Sequence, residues 1–324
     1  MKTQYDVIGI GNAIMDIISP VSDAFLDTHK MDKGGMALID QPRALKLNKA
    51  LSAEGTTQEI AGGSAANTMV GISALGCRAG YIGKVANDAI GKRLSKGFQG
   101  VGVDFSTKPI TSGPASARCM IAVTPDGERT MNTFLGASSL FTPADIAKSK
   151  IEAAKVLYLE GYLFDAEPAK KAFIRASEIA QAAGRQVALT LSDSFCVGRH
   201  RESFRSLVDN HVDILFANED EALSIYETDR LDTALDNLNK TKTIACVTRG
   251  EKGSIIQDHE RRYLVHATPV DKVVDTTGAG DQYAAGVLAG RAIGLDWKDA
   301  GHLGSLCAAE VISHYGARPE RKIV

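Results

Sequence analysis

The chain has 324 residues, 44% of them apolar, and is long enough to bury a large core without disulfide or metal support. Its 37 basic and 39 acidic side chains nearly balance and are scattered, which argues against a nucleic-acid-binding track and a basic membrane-binding face. A protein that acts on a small, soluble ligand is the class that remains.

Short apolar segments alternate with segments of helical periodicity from about residue 60 onward. This alternation is typical of a mostly parallel sheet with crossover helices. We therefore predict a single α/β domain over residues 1–324, with helices on both faces of its sheet. The predicted strands are DVIGIG, AGYIG, KVLYLEG, QVALTLS, DILFAN and TIACVT, and the predicted helices are residues 64–75, 89–98, 168–183, 219–225 and 282–293.

Two regions, 13–40 and 112–135, interrupt the alternation. In the second, SARCMIAV and ERTMNTF flank the turn sequence Thr-Pro-Asp-Gly at 124–127, which predicts a hairpin. We expect both regions to form a small β-rich lid attached to the main body. Arg129 in this hairpin could reach toward bound phosphates, although the pattern favours an ordinary exposed strand arginine.

The first predicted strand leads into GIGNAIMDI, which presents Asn12 and Asp16 where ligand groups lie in open α/β sheets. An aspartate can accept two hydrogen bonds from a vicinal diol, as a ribose or ketose offers. Gly9 and Gly11 also begin a dinucleotide-binding fingerprint, but Ile14 stands where its third glycine belongs. A nicotinamide-dependent dehydrogenase is therefore a competing but disfavoured hypothesis.

The segment AGGSAANTMVGISALG at 61–76 opens the next predicted helix. Gly62 and Gly63 allow the backbone to approach a polar ligand closely, and Asn67 brings both donors and acceptors. This combination suits sugar hydroxyls. The segment alone favours an ordinary glycine-rich helix entry.

The segment DTTGAGDQYAAG at 275–286 also opens a predicted helix. Gly278 and Gly280 leave the backbone free to turn several amides toward one point, with only a methyl group at Ala279 between them. Together with the helix N-terminus, such a loop forms an anion site. Asp281 either caps this helix or acts as a general base, and the local pattern leaves both roles open. No GxxxxGK[ST] phosphate loop occurs in the chain.

DTTGAGD followed by a small-residue helix closely resembles the C-terminal signature of the ribokinase-type (PfkB) carbohydrate and nucleoside kinases. The double glycine of 61–76, followed by asparagine, is similar to their N-terminal signature. The resemblance implies a ribokinase-like three-layer fold and ATP with Mg²⁺. It makes Asp281 the catalytic base, and the implied phosphoryl-binding amides are those of Gly278, Ala279 and Gly280. The implied acceptor contacts are Asn12, Asp16, Gly62, Gly63, Ser64 and Asn67.

Two segments resemble the nucleotide side of the same family. NEDE at 218–221 looks like its Asn-x-x-Glu motif, which implies that Asn218 and Glu221 organise phosphates and magnesium, with Glu221 acting through water. TRGEKGS at 248–254 looks like the segment that lines the ATP site through Thr248, Gly250 and Gly253. Taken alone, the first is also an acidic helix N-terminus and the second a β-turn.

Three further features follow from the resemblance. A potassium-like ion would draw on backbone oxygens near Asp275 and Thr277. AAEVISHYGARP at 308–319 resembles the terminal helix and loop beside the nucleotide base. LTLSDSF at 189–195 lacks the Asn-Pro pattern of many sugar kinases, so their contacts at this strand do not carry over.

The five cysteines show no CxxC spacing, and no apolar stretch approaches the length of a membrane span. We expect reduced, mostly buried thiols in a cytoplasmic protein that binds neither nucleic acid nor membrane and is a monomer or homodimer. GNAIMDI is more similar to the adenosine kinase branch, so the first hypothesis is phosphorylation of adenosine to AMP at its 5′-hydroxyl. The alternatives are a kinase of ribose, fructose or a related free sugar, and a silent sugar- or nucleoside-binding regulator.

Overall fold

The structure is a computed structural model that describes residues 3–55, 57–241, 243–259 and 261–321. In these residues the strands are β1 (Tyr5–Ile10), β2 (Ile14–Pro20), β3 (Met36–Leu38), β4 (Gln58–Gly62), β5 (Ala79–Ile82), β6 (Ala117–Val123), β7 (Arg129–Phe134), β8 (Ala154–Glu160), β9 (Gln186–Thr190), β10 (Ile214–Asn218), β11 (Ile244–Thr248), β12 (Ser254–Asp258) and β13 (Arg261–Val265). The helices are α1 (Asp23–Thr28), α2 (Gln41–Ala53), α3 (Ser64–Ala74), α4 (Ala89–Gly100), α5 (Lys148–Glu152), α6 (Glu167–Ala182), α7 (Ser194–His211), α8 (Glu219–Tyr226), α9 (Leu231–Lys240), α10 (Ala279–Ala292) and α11 (Trp297–Val311).

Eight strands form the main sheet in the order β13-β12-β11-β10-β9-β8-β1-β5. The strands from β5 to β11 run parallel, and β12 and β13 continue the edge as an antiparallel hairpin. Because parallel strands are covered on both faces, their side chains alternate between two cores. Val7 packs into one core with α3 and α10, while its neighbour Ile8 packs into the other with α6 and α7. The predicted three-layer fold is confirmed.

A second sheet has the strand order β3-β7-β6-β2-β4. Its strands come from the two regions that interrupt the sequence alternation and from Gln58–Gly62, which lies outside both regions. The first region also contains the short helix α1. One face of this sheet is covered by α2, whose buried Leu47 and Leu51 pack with Met15 and Ile17 of β2. The opposite face therefore remains available to a ligand.

The carboxyl ends of the parallel strands meet at one edge of the main sheet. β1 leads into Asn12 there, and β8, β10 and β11 end at Glu160, Asn218 and Thr248. Asn218 and Thr248 are direct partners across β10 and β11. The second sheet begins at the same edge, since β2 starts only four residues after β1 ends. Ligands bind at this edge in open α/β sheets.

The sequence also predicted mostly buried cysteines and no membrane-spanning segment. All five cysteines are buried, as the sequence predicted. No helix in the described part of the chain is long and apolar enough to cross a bilayer.

Candidate active site

The loop before α10 is shaped by one glycine in a left-handed conformation. Gly278 is the N-cap of α10 with φ = 80°, and a Cβ there would lie 2.6 Å from the Cα of Ala317. A larger residue would suffer both backbone strain and a clash with main-chain atoms. The position therefore requires glycine, and α10 starts without a side-chain cap.

The three amides predicted to bind an anion are not equivalent. Ala279 donates its amide to the Thr276 carbonyl at 3.2 Å, so this amide is already engaged, contrary to prediction. Among the described residues, the amides of Gly278, Gly280 and Asp281 donate to no backbone carbonyl. The positive end of α10 adds to their field. The amides left to form the predicted anion site are therefore those of Gly278, Gly280 and Asp281, not those of three consecutive small residues.

Asp281 does not cap its helix. It is the third residue of α10, and its carboxylate crosses to α3, where it accepts hydrogen bonds from Ser64 Oγ at 2.6 Å and Asn67 Nδ2 at 3.2 Å. Burial raises the pKa of Asp281 to about 7; the bonds from Ser64 and Asn67 oppose this shift, and the charges of Glu160 and Asp16 add to it. A carboxylate held by two donors and poised near neutrality can serve as a general base.

The paired glycines at 62–63 permit a close approach of three segments. Gly63 has φ = 103°, and a Cβ there would lie 2.1 Å from the carbonyl oxygen of Asn12. A Cβ at Gly62 would lie 2.3 Å from Oδ2 of Asp16. Any larger residue would push β1, β2 or the start of α3 away. The pair thus brings Asn12 and Asp16 to the N-terminus of α3.

Asp16 projects from β2 toward the same space. Burial raises its pKa to about 6, and the charges of Arg129 and Arg318 oppose that shift. Among the described residues its carboxylate makes no hydrogen bond, while its charge acts on Asp281. Asp16 on the second sheet and Asp281 on the main body are thus close enough for their charges to interact.

Glu160 is a buried carboxylate that the sequence analysis did not single out. It accepts hydrogen bonds from the backbone and side-chain nitrogens of Asn12, at 3.1 and 2.9 Å, and from the amide of Ala65 at 2.8 Å. It therefore fixes the Asn12 side chain and joins β1 to the start of α3. One signal was present in the sequence: a glutamate that ends the apolar strand KVLYLE at the functional edge.

Arg129 is not an exposed strand arginine, as the sequence favoured. Its side chain is only 16% exposed, and Nη1 donates to Oδ2 of Asp275 and, at 3.1 Å, to Oγ1 of Thr277. The ion pair ties the second sheet to the loop that precedes the anion site. A cation beside Asp275 would have to share this carboxylate with the guanidinium and with the Gly316 amide, which also donates to it at 3.0 Å.

The residues predicted on the nucleotide side lie further along the same edge. Asn218 and Glu221 form a reciprocal capping box at the start of α8, with Asn218 Oδ1 accepting from the Glu221 amide at 2.8 Å. Thr248 ends the neighbouring strand. Gly250 and Gly253 have φ of 57° and 81°, and their turn is a short 3₁₀ helix rather than a β-turn.

Several carboxylates near this edge act electrostatically on the hydroxyl of Tyr162. Burial raises the pKa of Tyr162 above its usual value, and the charges of Asp193, Asp281, Glu221 and Glu160 raise it further. Burial likewise raises the pKa of Glu221 to about 7. Such a concentration of negative charge favours a cation among these groups.

Known proteins resemble this chain over almost its whole length. A family model described as pfkB family carbohydrate kinase matches residues 31–322. The structure of adenosine kinase from Sinorhizobium meliloti is 46% identical, with a TM-score of 0.91 over 99% of this chain and 97% of that chain. A probable sugar kinase protein from Rhizobium etli is 44% identical, with a TM-score of 0.91 over 99% and 96%. Adenosine kinase of Saccharomyces cerevisiae is 25% identical over 98% of each chain.

Proposed function

The chain belongs to the pfkB family of carbohydrate kinases, phosphotransferases with hydroxyl acceptors, and we propose that it converts adenosine to AMP by phosphorylating the 5′-hydroxyl. Kinases of this family use ATP, with Mg²⁺ in general. The observation that carries the proposal is the pair of buried carboxylates of Asp16, on the second sheet, and Asp281, on the main body, whose charges interact, with the unpaired amides of Gly280 and Asp281 beside the second carboxylate.

Asp281 would accept the proton of the acceptor hydroxyl as that oxygen attacks the γ-phosphorus of ATP. The bond from this phosphorus to the bridging oxygen then breaks, and ADP leaves. Ser64 and Asn67 hold its carboxylate in place before the acceptor arrives. The amides of Gly278, Gly280 and Asp281, with the N-terminus of α10, would stabilise the negative charge on the phosphoryl oxygens. Among the described residues these amides donate to no backbone carbonyl, so they are available to the phosphoryl group.

Asp16 would bind the ribose hydroxyls. A carboxylate without a hydrogen-bond partner among the described residues can accept from both hydroxyls of a vicinal diol. Because Asp16 lies on the second sheet and Asp281 on the main body, one sugar that contacts both would draw the two together. Closure of the second sheet as a lid would exclude water from the phosphoryl group.

The face of the second sheet that carries Asp16 supports a nucleoside over a free sugar. Directly paired residues of neighbouring strands share a face, so the strand register identifies its cross-strand rows. The row through Asp16 contains Leu38, Thr133, Cys119, Asp16 and Ile60. The next row contains Met36, Met131, Ile121, Ile18 and Gln58. This mostly apolar surface suits a planar base, whereas a free sugar would place hydroxyls against it.

A cavity of about 330 Å³ adjoins this surface. It lies between the second sheet and the segments that carry Asp275 and Gly316, and its apolar walls include Ile18, Ile60 and Val123. A cavity of this size can hold a nucleobase-sized group. One wall is Ile60, the direct cross-strand partner of Asp16, which is consistent with a base attached to a bound ribose.

The residues at the strand ends fit a magnesium ion. Mg²⁺ prefers oxygen ligands and keeps several waters, so one or two carboxylates and the substrate phosphates suffice. Glu221 would contribute through water, because its carboxylate already bonds Asn218. When bound, the ion would neutralise charge on the nucleotide phosphates. We also propose Thr248, Gly250 and Gly253 as the walls of the nucleotide site.

Free-sugar phosphorylation is the second candidate function, favoured by the likeness to the Rhizobium etli protein. One panel separates the two: ADP release measured with ATP, Mg²⁺ and, in turn, adenosine, inosine, ribose and fructose. We expect adenosine to give the highest kcat/KM. A higher kcat/KM for ribose or fructose would make a free sugar, not a nucleoside, the acceptor. ADP release that no acceptor stimulates would refute the kinase assignment altogether.

The pH dependence should report Asp281. Since the base must be ionised, kcat/KM for the acceptor should fall about tenfold per pH unit below a pH of about 7. The Ser64 bond lowers this pKa, so Ser64→Ala should move the acid limb to higher pH. Ser73→Ala is the control, because Ser73 lies on the same helix but bonds the distant Val101 carbonyl. An unshifted limb in Ser64→Ala would contradict the assignment.

A further inference from the structure

The segment after α11 is fastened along the catalytic loop. The Gly316 amide donates to Oδ2 of Asp275 at 3.0 Å, and the Ala317 carbonyl accepts from Gln282 Nε2 at 2.9 Å. Ala317 also packs against Gly278. These contacts involve residues on both sides of the anion site. They fix the backbone that places the next residue, Arg318, beside Asn67.

Arg318 contacts Asn67 of α3. Its Nε donates to Asn67 Oδ1 at 3.3 Å, and its guanidinium carbon lies 5.6 Å from the centre of the Phe98 ring. Its charge acts on Asp16. Its Nη2 is buried and finds no hydrogen-bond partner within the described residues. Leaving a guanidinium N–H unpaired is unfavourable for stability, so packing alone is a poor reason for an arginine here.

The two ends of the Asn67 amide have opposite partners. Oδ1 accepts from Arg318, and Nδ2 donates to the Asp281 carboxylate. The reverse orientation would place a donor against the guanidinium and an oxygen against the carboxylate, so Arg318 selects the orientation that supports the base. Gln282 Nε2 donates to the Asn67 backbone carbonyl at 3.1 Å. Gln282 thus fixes the backbone of Asn67, and Arg318 fixes the orientation of its side-chain amide.

Resting on the proposed function, we propose that Arg318 is a positioning residue of the acceptor site. It holds the Asn67 amide toward Asp281 and places a positive charge beside Asp16. Arg318 therefore influences phosphoryl transfer indirectly, through Asn67 and Asp16. One residue of the C-terminal segment thus affects both the catalytic base, Asp281, and the diol-binding carboxylate, Asp16.

The groups that face Asp16 determine the pH signature. They are Arg129 of β7, Arg318, Asp281 of α10 and the thiol of Cys119 on β6. The pKa of Asp16 is raised to about 6, and Arg318 opposes that rise. Acceptor binding through ionised Asp16 is present above this pH and lost below it. As the pH falls, the acceptor KM should rise where Asp16 becomes protonated. Without Arg318 the pKa of Asp16 is higher, so this rise should begin at a higher pH.

Arg318→Gln tests the proposal, with Arg321→Gln as the matched control on the exposed end of the same segment. We expect Arg318→Gln to lower kcat/KM for the acceptor roughly 10- to 100-fold, as for loss of a charged hydrogen bond, with the KM for ATP and the Tm nearly unchanged. Arg318→Lys should recover the pH profile more than the rate, because lysine restores the charge but not the geometry. Arg321→Gln should match the wild type.

A double-mutant cycle with Asn67→Ala distinguishes positioning from general packing. If Arg318 acts through Asn67, the Gln substitution should cost far less in the Asn67→Ala background than in the wild type. Fully additive losses in kcat/KM would overturn the proposal. Equal losses in kcat/KM for ATP and for the acceptor, together with a lower Tm, would also overturn it. Wild-type kcat/KM and an unshifted pH profile in Arg318→Gln would do the same. By contrast, a wild-type enzyme that no acceptor stimulates would refute the proposed function itself.

Discussion

Asp281→Asn should lower kcat about 10²- to 10⁴-fold, the range for loss of a general base. Asparagine keeps the size of the side chain but cannot accept the proton of the attacking hydroxyl. The amides of Gly280 and Asp281 lie in the main chain and are unaffected, so ATP affinity should stay within a few fold. Stopped-flow single turnovers with saturating acceptor would measure the loss in the chemical step.

The matched control is Asp299→Asn. Asp299 is the third residue of α11, as Asp281 is of α10, but its side chain is exposed. Both substitutions remove a favourable charge near a helix N-terminus, whose effect is typically 0.3–1 kcal/mol. If Asp281→Asn and Asp299→Asn were equally active, Asp281 would be no more than a residue of the first helical turn.

Asp16→Asn should raise the acceptor KM about 100-fold while kcat changes much less. Each hydrogen bond to a charged group is worth about 1.5–3 kcal/mol, and an amide can accept from the diol but no longer carries the charge. Loss of the Asp16 charge also lowers the pKa of Asp281, so the acid limb of kcat should move to lower pH. Initial-rate series across pH would show both effects.

Its control is Asp27→Asn, an exposed position on the short helix α1 beside the second sheet. That variant should keep the acceptor KM of the wild type. 2′-Deoxyadenosine offers an independent check, because a diol contact predicts that it loses more with the wild type than with Asp16→Asn. An unchanged acceptor KM in Asp16→Asn would remove this residue from the binding site.

The parallel sheet could be predicted from the sequence because its strands are short, apolar and separated by regular helical segments. Each predicted strand corresponds to a strand of the main sheet. The glycines that bring segments together were also identifiable. Gly63 and Gly278 adopt left-handed dihedrals that larger residues avoid, so their positions mark close backbone approaches.

Pairings between distant residues could not be predicted in the same way. Asn67 and Arg318 are 251 positions apart, and Arg129 and Asp275 are 146 apart, so no local periodicity links them. An arginine in a hairpin resembles any surface strand residue until the fold brings an acid beside it. That Asp281 does not cap its helix could likewise be seen only from the position of α3, and its role as a base stays a prediction.

The central claim is that Asp281 removes the proton from a ribose hydroxyl while the neighbouring amides bind the transferred phosphoryl group. Its most direct test is ³¹P NMR of ATP, Mg²⁺ and adenosine incubated with the wild type or with Asp281→Asn. We predict that a 5′-monophosphate resonance appears with the wild type and is orders of magnitude slower to appear with the variant. Comparable rates of AMP formation by both proteins would contradict the account.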